Sequence, residues 1–166
     1  ATVDELVVPV VRPVEMTLTT DTVMQSLLIA PLTGQIYAMP GMTAKLNFSA
    51  TRTGEAEGEN TQFNGDGFGR QKFTVRALEP ADFKTWIARG DSGLTLDENT
   101  YGTLRRRTVL AEARGDLGLG ESADPIVMSL GQPDIFQQIV GKYHGGEAER
   151  WGGIGLPQAG TTGAAR

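Results

Sequence analysis

Three stretches of the chain alternate apolar and polar residues with a period of two. They lie at residues 14–18, 42–48 and 72–77. Such alternation is typical of β-strands, because successive side chains of a strand point to opposite faces of a sheet. A short apolar run at residues 26–30 predicts a further strand that is covered on both faces.

Segments rich in glycine and asparagine separate these strands, at residues 54–58 and 64–69. Both are predicted to be turns, because Gly and Asn tolerate the positive φ of tight turns. Gly65, Gly67 and Gly69 resemble a fragment of a phosphate-binding loop, but they precede a predicted strand rather than a helix, which favours a β-turn. Short strands separated by turns indicate an antiparallel β-sandwich or barrel.

In the second half of the chain the apolar spacing becomes helical. A helix is predicted to begin at Pro80 and end near Gly90, since proline suits the first helical position and glycine the C-terminal cap. A second helix is expected after Thr95, which forms a capping-box sequence with Glu98. A third is predicted to begin at Pro133.

These patterns divide the 166 residues into three parts. Residues 1–78 are predicted to form a mainly β domain, and residues 79–144 a C-terminal helical extension. Residues 145–166 are glycine-rich and have no packing period, so we expect a flexible tail.

Composition and charge exclude several classes of function. A net charge of -5 disfavours a nucleic-acid partner, because phosphate backbones are bound by clustered Lys and Arg. The sequence contains no cysteine, and His144 is its one histidine, which excludes thiolate sites and histidine-rich metal sites. It also lacks the roughly 18 consecutive apolar residues of a membrane span, and we expect the chain as given to be soluble.

Several short motifs follow one another in an order that identifies a family. The most specific is QIYAMPGM at residues 35–42, and the others are ATVDE at 1–5, DTVMQS at 21–26, GDGF at 65–68 and QPDIF at 132–136. Together they resemble subunit II of the haem-copper oxidases, in particular the quinol oxidases of the cytochrome bo type. The resemblance covers most of the chain up to Tyr143. It implies a cupredoxin-like Greek-key β-sandwich or barrel with a C-terminal α-helical extension.

In this family the cytochrome c oxidases hold a pair of copper ions, the CuA site. Its ligands lie in a His-Ser pair and in a C-x-E-x-C-x-x-x-H-x-x-M motif. Without a gap, these positions fall on Gln25, Asn60, Gln62, Asn64, Phe68 and Gln71. Carboxamides do not replace the soft thiolates that copper requires. The resemblance therefore implies that the copper site is lost and that this chain has no metal, no cofactor and no catalytic residue.

The lost copper site has a consequence for the electron donor. In the family the copper pair accepts electrons from cytochrome c, and the surface on which cytochrome c docks includes an acidic residue. The aligned position in this chain is Tyr37. The resemblance implies quinol as donor, with the haems, the copper and the catalysis of a proton-pumping ubiquinol oxidase in subunit I. The expected contacts with subunit I are loop residues: Gln25, Tyr37, Met39, Pro40, Gln62 and Phe68.

In the family, membrane helices precede this domain and anchor it on the periplasmic side of the bacterial inner membrane. The same location is expected here, although these helices are absent from this chain, and on its own the chain is not expected to oxidise quinol. One alternative is a stand-alone periplasmic β-sandwich that binds a small ligand or another protein. Another, a cytochrome c oxidase subunit, conflicts with the missing cysteines.

Overall fold

Residues 1–78 form strands joined by short loops. The computed structural model describes residues 1–89, 93–106, 108–120, 122 and 124–144. A 3-10 helix at Phe68–Arg70 lies in the loop before the last of these strands. The strands are β1 Thr2–Val3, β2 Glu5–Pro9, β3 Val14–Leu18, β4 Gln25–Ala30, β5 Ile36–Ala38, β6 Ala44–Phe48, β7 Gly54–Asn60 and β8 Lys72–Leu78.

The main sheet has five strands in the order β2-β8-β7-β4-β5. Strands β2 and β8 are parallel, and the other neighbours are antiparallel. Strands β3 and β6 form a separate antiparallel pair. Single bridges join Val10 to Ala50 and Thr20 to Pro40, so both edges of the main sheet are linked to this pair. The result is a curled mixed sheet whose edges are connected to the β3-β6 pair by single bridges, called the barrel below, and the predicted mainly β class is confirmed.

The core of the barrel follows from the alternating patterns. In β3 the residues Val14, Met16 and Leu18 are half-buried, whereas Glu15 and Thr17 are exposed. The buried cluster between the sheets consists of Val8, Val10, Phe48, Ala50 and Ala77. Burial of such side chains is the dominant favourable contribution to folding, at about 25 cal/mol per Å² of apolar surface.

Two predictions about the strands are corrected by the structure. Residues 54–58, predicted as a turn, belong to β7 at the centre of the sheet. Ala56 and Gly58 face inward and alternate with exposed glutamates, so the period of two is present in small residues. Strand β4 is only partly covered, since Ser26 and Ile29 are buried but Ala30 is exposed. The predicted turn at 64–69 is confirmed, with Gly67 at φ 87°.

The second half of the chain combines helices with very short strands. The helices are α1 Pro80–Ala88, α2 Glu98–Leu104, α3 Leu110–Asp116 and α4 Ile135–Gly141. The strands are β9 Thr95–Leu96, β10 Ile126–Val127 and β11 Ser129–Leu130. Strand β10 pairs with β1 and β11 pairs with β9, so the N-terminus of the chain lies against this half.

Helix α1 begins at Pro80 as predicted, whereas Gly90 and the tail at 145–166 lie outside the described residues. Helix α3 was not predicted, and α4 begins at Ile135, two residues after Pro133. Of the described residues, none belongs to a helix that is long and apolar enough to cross a membrane.

The cap of α2 differs from the predicted capping box. Asp97, not Thr95, is the N-cap residue, and its carboxylate accepts the backbone N–H of Thr100 at 2.8 Å. Thr95 lies in β9, where its hydroxyl is 3.1 Å from that of Ser129. An aspartate at the N-cap is favourable because it pairs with a free backbone N–H of the first turn. Thr95 is instead paired with Ser129 of β11.

The cap predicts a pH-dependent contribution to stability. The hydrogen bond from Thr100 lowers the pKa of Asp97. The contribution is therefore complete above the pKa of an unfolded aspartate, about 3.9, and is lost as the pH falls through the lower folded pKa. We expect the melting temperature of Asp97→Asn to fall less than that of the parent chain between about pH 5 and pH 2.

Asp134 provides the matched control, because it is the N-cap of α4 without a side-chain cap hydrogen bond. The variant Asp134→Asn removes an N-cap carboxylate without removing a cap hydrogen bond, and Asp97→Asn should lose more of the acid dependence than it does. Equal acid dependence of Asp97→Asn and the parent would contradict the assignment of the cap.

The loop after β3 attaches the barrel to the second half of the chain. The Asp21 carboxylate is 18% exposed and lies 3.0 Å from Arg105 Nε, just after α2. It also forms an ion pair with Lys142, and the Tyr143 hydroxyl donates to the Asp21 carbonyl. Two cations on separate elements thus converge on one carboxylate, which fixes the position of α2 and the end of α4 on the barrel.

Candidate functional site

The structure brings together four of the positions aligned with copper ligands. Gln25 begins β4, Asn60 ends β7, and Gln71 immediately precedes β8. Strands β4 and β7 are neighbours, with Leu27 paired to Asn60, so the ends of these strands lie side by side. The side chain of Asn64 reaches them from the intervening loop, and the four carboxamides form a hydrogen-bonded network.

The orientation of the Asn60 amide is fixed by the backbone. Its Oδ1 accepts the backbone N–H of Ser26 at 3.0 Å and that of Gln62 at 3.1 Å. Because a backbone N–H only donates, the oxygen of Asn60 must face this side. Its Nδ2 then donates to the Gln71 Oε1 at 2.7 Å and to the Gln62 carbonyl at 2.8 Å.

This orientation determines the rest of the network. Gln71 Oε1 accepts a second hydrogen bond, from Asn64 Nδ2 at 3.0 Å, and Gln71 Nε2 donates to Asn64 Oδ1 at 3.3 Å. Asn64 Nδ2 also donates to Gln25 Oε1 at 2.8 Å. The donors and acceptors are therefore matched from the backbone of β4 through Asn60 to Gln25.

A second set of hydrogen bonds surrounds the buried Ser26. Its side chain is fully buried, and its Oγ accepts from Gln35 Nε2 at 2.7 Å and from the Thr61 hydroxyl at 3.0 Å. The Thr61 backbone N–H also donates to the Ser26 carbonyl at 2.9 Å. Sequence reasoning missed Gln35 and Thr61, and the one available signal was a serine at the start of an otherwise apolar strand.

The other two aligned positions have different contacts. The Gln62 side chain donates to the Phe63 carbonyl at 3.3 Å. Phe68 packs edge-on against Phe63, with 5.2 Å between ring centroids and 75° between ring planes. Phe63 is 66% exposed. The loop thus carries an aromatic pair in addition to the amide network.

The chemistry of this set does not fit a pair of copper ions. Five neutral carboxamides and a phenylalanine provide no soft donor, and the sequence contains no cysteine. Across the part of the chain that the structure describes, there is also no group of three or more His, Cys, Asp or Glu residues placed to bind a metal. The four carboxamides of the network hydrogen-bond to one another instead.

The predicted contact residues lie around the same end of the barrel. Tyr37 is 48% exposed and is paired with Ser26 across β4 and β5, while Met39 and Pro40 are half-buried in the following loop. Two exposed apolar residues that were not predicted, Val23 and Met24, directly precede β4. Val23, Met24 and Phe63 add exposed apolar surface to that of the predicted contact residues at this end of the barrel.

A cavity of about 690 Å³ adjoins the network and is lined by Gln25, Asn60 and Gln71 together with Leu18 and Leu27. Asp4 also borders it, and burial raises the pKa of that carboxyl. The carboxamides of Gln25, Asn60 and Gln71 that line the cavity are already hydrogen-bonded within the network.

Comparisons with known proteins agree with this fold. No family model matches the chain. It is 38% identical over 146 residues to cytochrome bo(3) ubiquinol oxidase subunit 2 of Pseudomonas putida, covering 87% of this chain and 43% of that protein. It is 41% identical over 100 residues to the probable quinol oxidase subunit 2 of Staphylococcus aureus strain USA300, covering 60% and 27%. The chain therefore spans less than half the length of these relatives.

Among solved structures, the periplasmic domain of subunit II of the cytochrome oxidase of Bradyrhizobium japonicum is similar, with a TM-score of 0.50 and 25% identity. The match covers 51% of this chain and 62% of that one. The fold is thus of the cupredoxin-like class found in oxidase subunits II. Within that class, the chain is a homologue of subunit II of the haem-copper quinol oxidases.

Proposed function

We propose that the chain is the non-catalytic, water-facing domain of subunit II of a proton-pumping quinol oxidase and that it carries no copper. The amide network is the observation that supports this proposal most directly. It occupies four of the six positions aligned with copper ligands, and each of its four carboxamides is hydrogen-bonded to another. In this proposal, quinol oxidation, the haems and the oxygen-reducing copper belong to subunit I.

Cytochrome c is not expected to dock on this chain. Electrostatic steering of a basic partner requires acidic side chains at the docking surface, and here the aligned position is the exposed Tyr37. Val23, Met24 and Phe63 add apolar surface at the same end. Such a surface favours a protein contact of low polarity over an encounter with a highly charged soluble protein.

We propose that this end of the barrel packs on subunit I on the periplasmic side of the inner membrane. The contact would include the predicted residues Gln25, Tyr37, Met39, Pro40, Gln62 and Phe68, and Phe63 in addition. Phe63 resembles the aromatic anchors that dominate many protein interfaces, since most of its ring is exposed and Phe68 supports it from one side.

Site-specific cross-linking in the assembled oxidase tests this orientation. A photoreactive phenylalanine analogue at Phe63 or Tyr37 should cross-link to subunit I after irradiation, because both side chains lie at the proposed contact. Ile87 in α1 and Val11 are the controls, since they are 59% and 77% exposed but lie away from the network. The products are identified by mass spectrometry.

Cross-links to subunit I from Ile87 or Val11, with none from Phe63 and Tyr37, would reverse the proposed orientation. A chain that never co-purifies with an oxidase would favour the alternative of a stand-alone β-sandwich. In both cases the amide network would need another explanation.

A further inference from the structure

The network raises the question of what holds the loop between β7 and β8 when no metal joins its two ends. We infer that Asn60 is a positioning residue that fixes the loop at residues 61–70 in the conformation required for docking. The inference concerns the arrangement of this chain, but the identity of the docking partner rests on the proposed function.

Asn60 uses the full hydrogen-bonding capacity of its side chain. An asparagine amide accepts two hydrogen bonds and donates two. Asn60 accepts from the backbone of Ser26 and Gln62, and it donates to the Gln62 carbonyl and the Gln71 side chain. One side chain therefore connects β4, the start of the loop and the residue that precedes β8.

The sequence of the loop makes such a connection necessary. Gly65 and Gly67 have φ values of 122° and 87°, a region that glycine enters freely, so they lose much conformational entropy when the loop is ordered. Within the loop, the backbone hydrogen bonds from Phe68 to Gly65 and from Arg70 to Gly67 are local. These local turns do not attach the loop to the barrel. Thr61 joins the start of the loop to Ser26, and the side chains of Asn60 and Asn64 attach the part that follows.

The attachment determines where the aromatic pair lies. Phe63 is three residues from Asn60, between Gln62 and Asn64, both of which are bonded to the network. Anchoring on both sides orders Phe63 before a partner binds. Ordering a loop in advance reduces the entropy lost on association, so it increases affinity without adding a contact.

The test uses Asn60→Asp in the full chain. The carboxylate keeps both accepted N–H groups but no longer donates to Gln71 and Gln62, and it places acceptor oxygens against their oxygens. We expect backbone hydrogen exchange at 61–70 to accelerate by about tenfold, since a tenfold change is 1.4 kcal/mol and each of the two donated hydrogen bonds of the half-buried Asn60 contributes about 0.5–1.5 kcal/mol.

Two other variants separate this effect from a general loss of stability. Gln71→Glu still accepts from Asn60 and Asn64. It loses the longest hydrogen bond of the network and places one oxygen against Asn64 Oδ1 at 3.3 Å, so its loop should exchange more slowly than that of Asn60→Asp. Asn47→Asp makes the same chemical change at an exposed position in β6. It should leave the loop unchanged. Exchange in β2 and β8 reports whether each variant is folded.

The outcome separates the inference from the proposed function. If the loop exchanges at the parent rate in folded Asn60→Asp, Asn60 does not position it and the inference is overturned. If Asn60→Asp accelerates loop exchange and also weakens retention of the chain in the purified oxidase, both are supported. Faster exchange with unchanged retention would overturn the docking role that the proposed function gives this loop.

Discussion

A chain that carries Gln25→His, Asn60→Cys, Gln62→Glu, Asn64→Cys, Phe68→His and Gln71→Met is expected to bind two copper ions and to become purple. Four of these positions already contact one another through their amides, at 2.7 to 3.3 Å. At these four positions the backbone therefore needs little rearrangement to bring two thiolates, an imidazole and a thioether together, and the loop must bring the histidine at 68 to them. Electron-spin resonance should show one unpaired electron shared between both metals.

The stability of this variant is expected to decrease. Replacing Phe68 removes its contact with Phe63 and costs roughly 1–3 kcal/mol in the metal-free state. Losing the amide network adds to this cost because Asn60 no longer pairs with the backbone. Copper binding to the folded state should recover part of the loss, which a thermal melt with and without copper measures.

A matched control has serine in place of both introduced cysteines. Without thiolates it should bind copper weakly, as separate ions and without the intense visible band. If the six-residue variant is folded but gives the same result as this control, the two loops do not converge as a copper site requires. The alignment of Gln25 and of residues 60–71 with the family's ligands would then be wrong.

Whether a strand was predicted depended on the size of the apolar side chains that alternate with polar ones in it. Strands β3, β6 and β8 were predicted because large apolar residues alternate with polar ones in each of them. Strand β7 was missed because its inward residues are Ala56 and Gly58, whose sizes give no hydrophobic signal. Short strands such as β9 depend on partners distant in the chain, which no local pattern records.

The sequence predicted that the copper donors are lost but not the hydrogen bonds among the residues that replace them. Motif spacing placed Gln25, Asn60, Asn64 and Gln71 at one site, and the structure joins them. The sequence does not show that each amide would pair with another, because that depends on the relative orientation of β4, β7 and the intervening loop. Gln35 joins the same region through Ser26, a contact that the sequence does not indicate.

Gly58→Ala is expected to destabilise the folded chain by about 1–3 kcal/mol, the usual cost of overpacking. A Cβ at Gly58 would lie 2.1 Å from Phe73 Cζ and 2.4 Å from its Cε1, far inside van der Waals contact. The two residues are paired across β7 and β8, so the ring must leave the position that it occupies over the glycine. Chemical denaturation measures the change in the free energy of unfolding.

The explanation is specific to the ring of Phe73, and a double-mutant cycle tests it. Phe73→Ala removes the clash, so adding Gly58→Ala to it should cost much less than in the parent chain, with a coupling of about 0.5–3 kcal/mol. Gly34→Ala is the control, because a Cβ there would meet no atom within 4 Å among the described residues. Additive changes in the free energy of unfolding would show that Gly58 is required for its backbone conformation and not for the space that it leaves to the Phe73 ring.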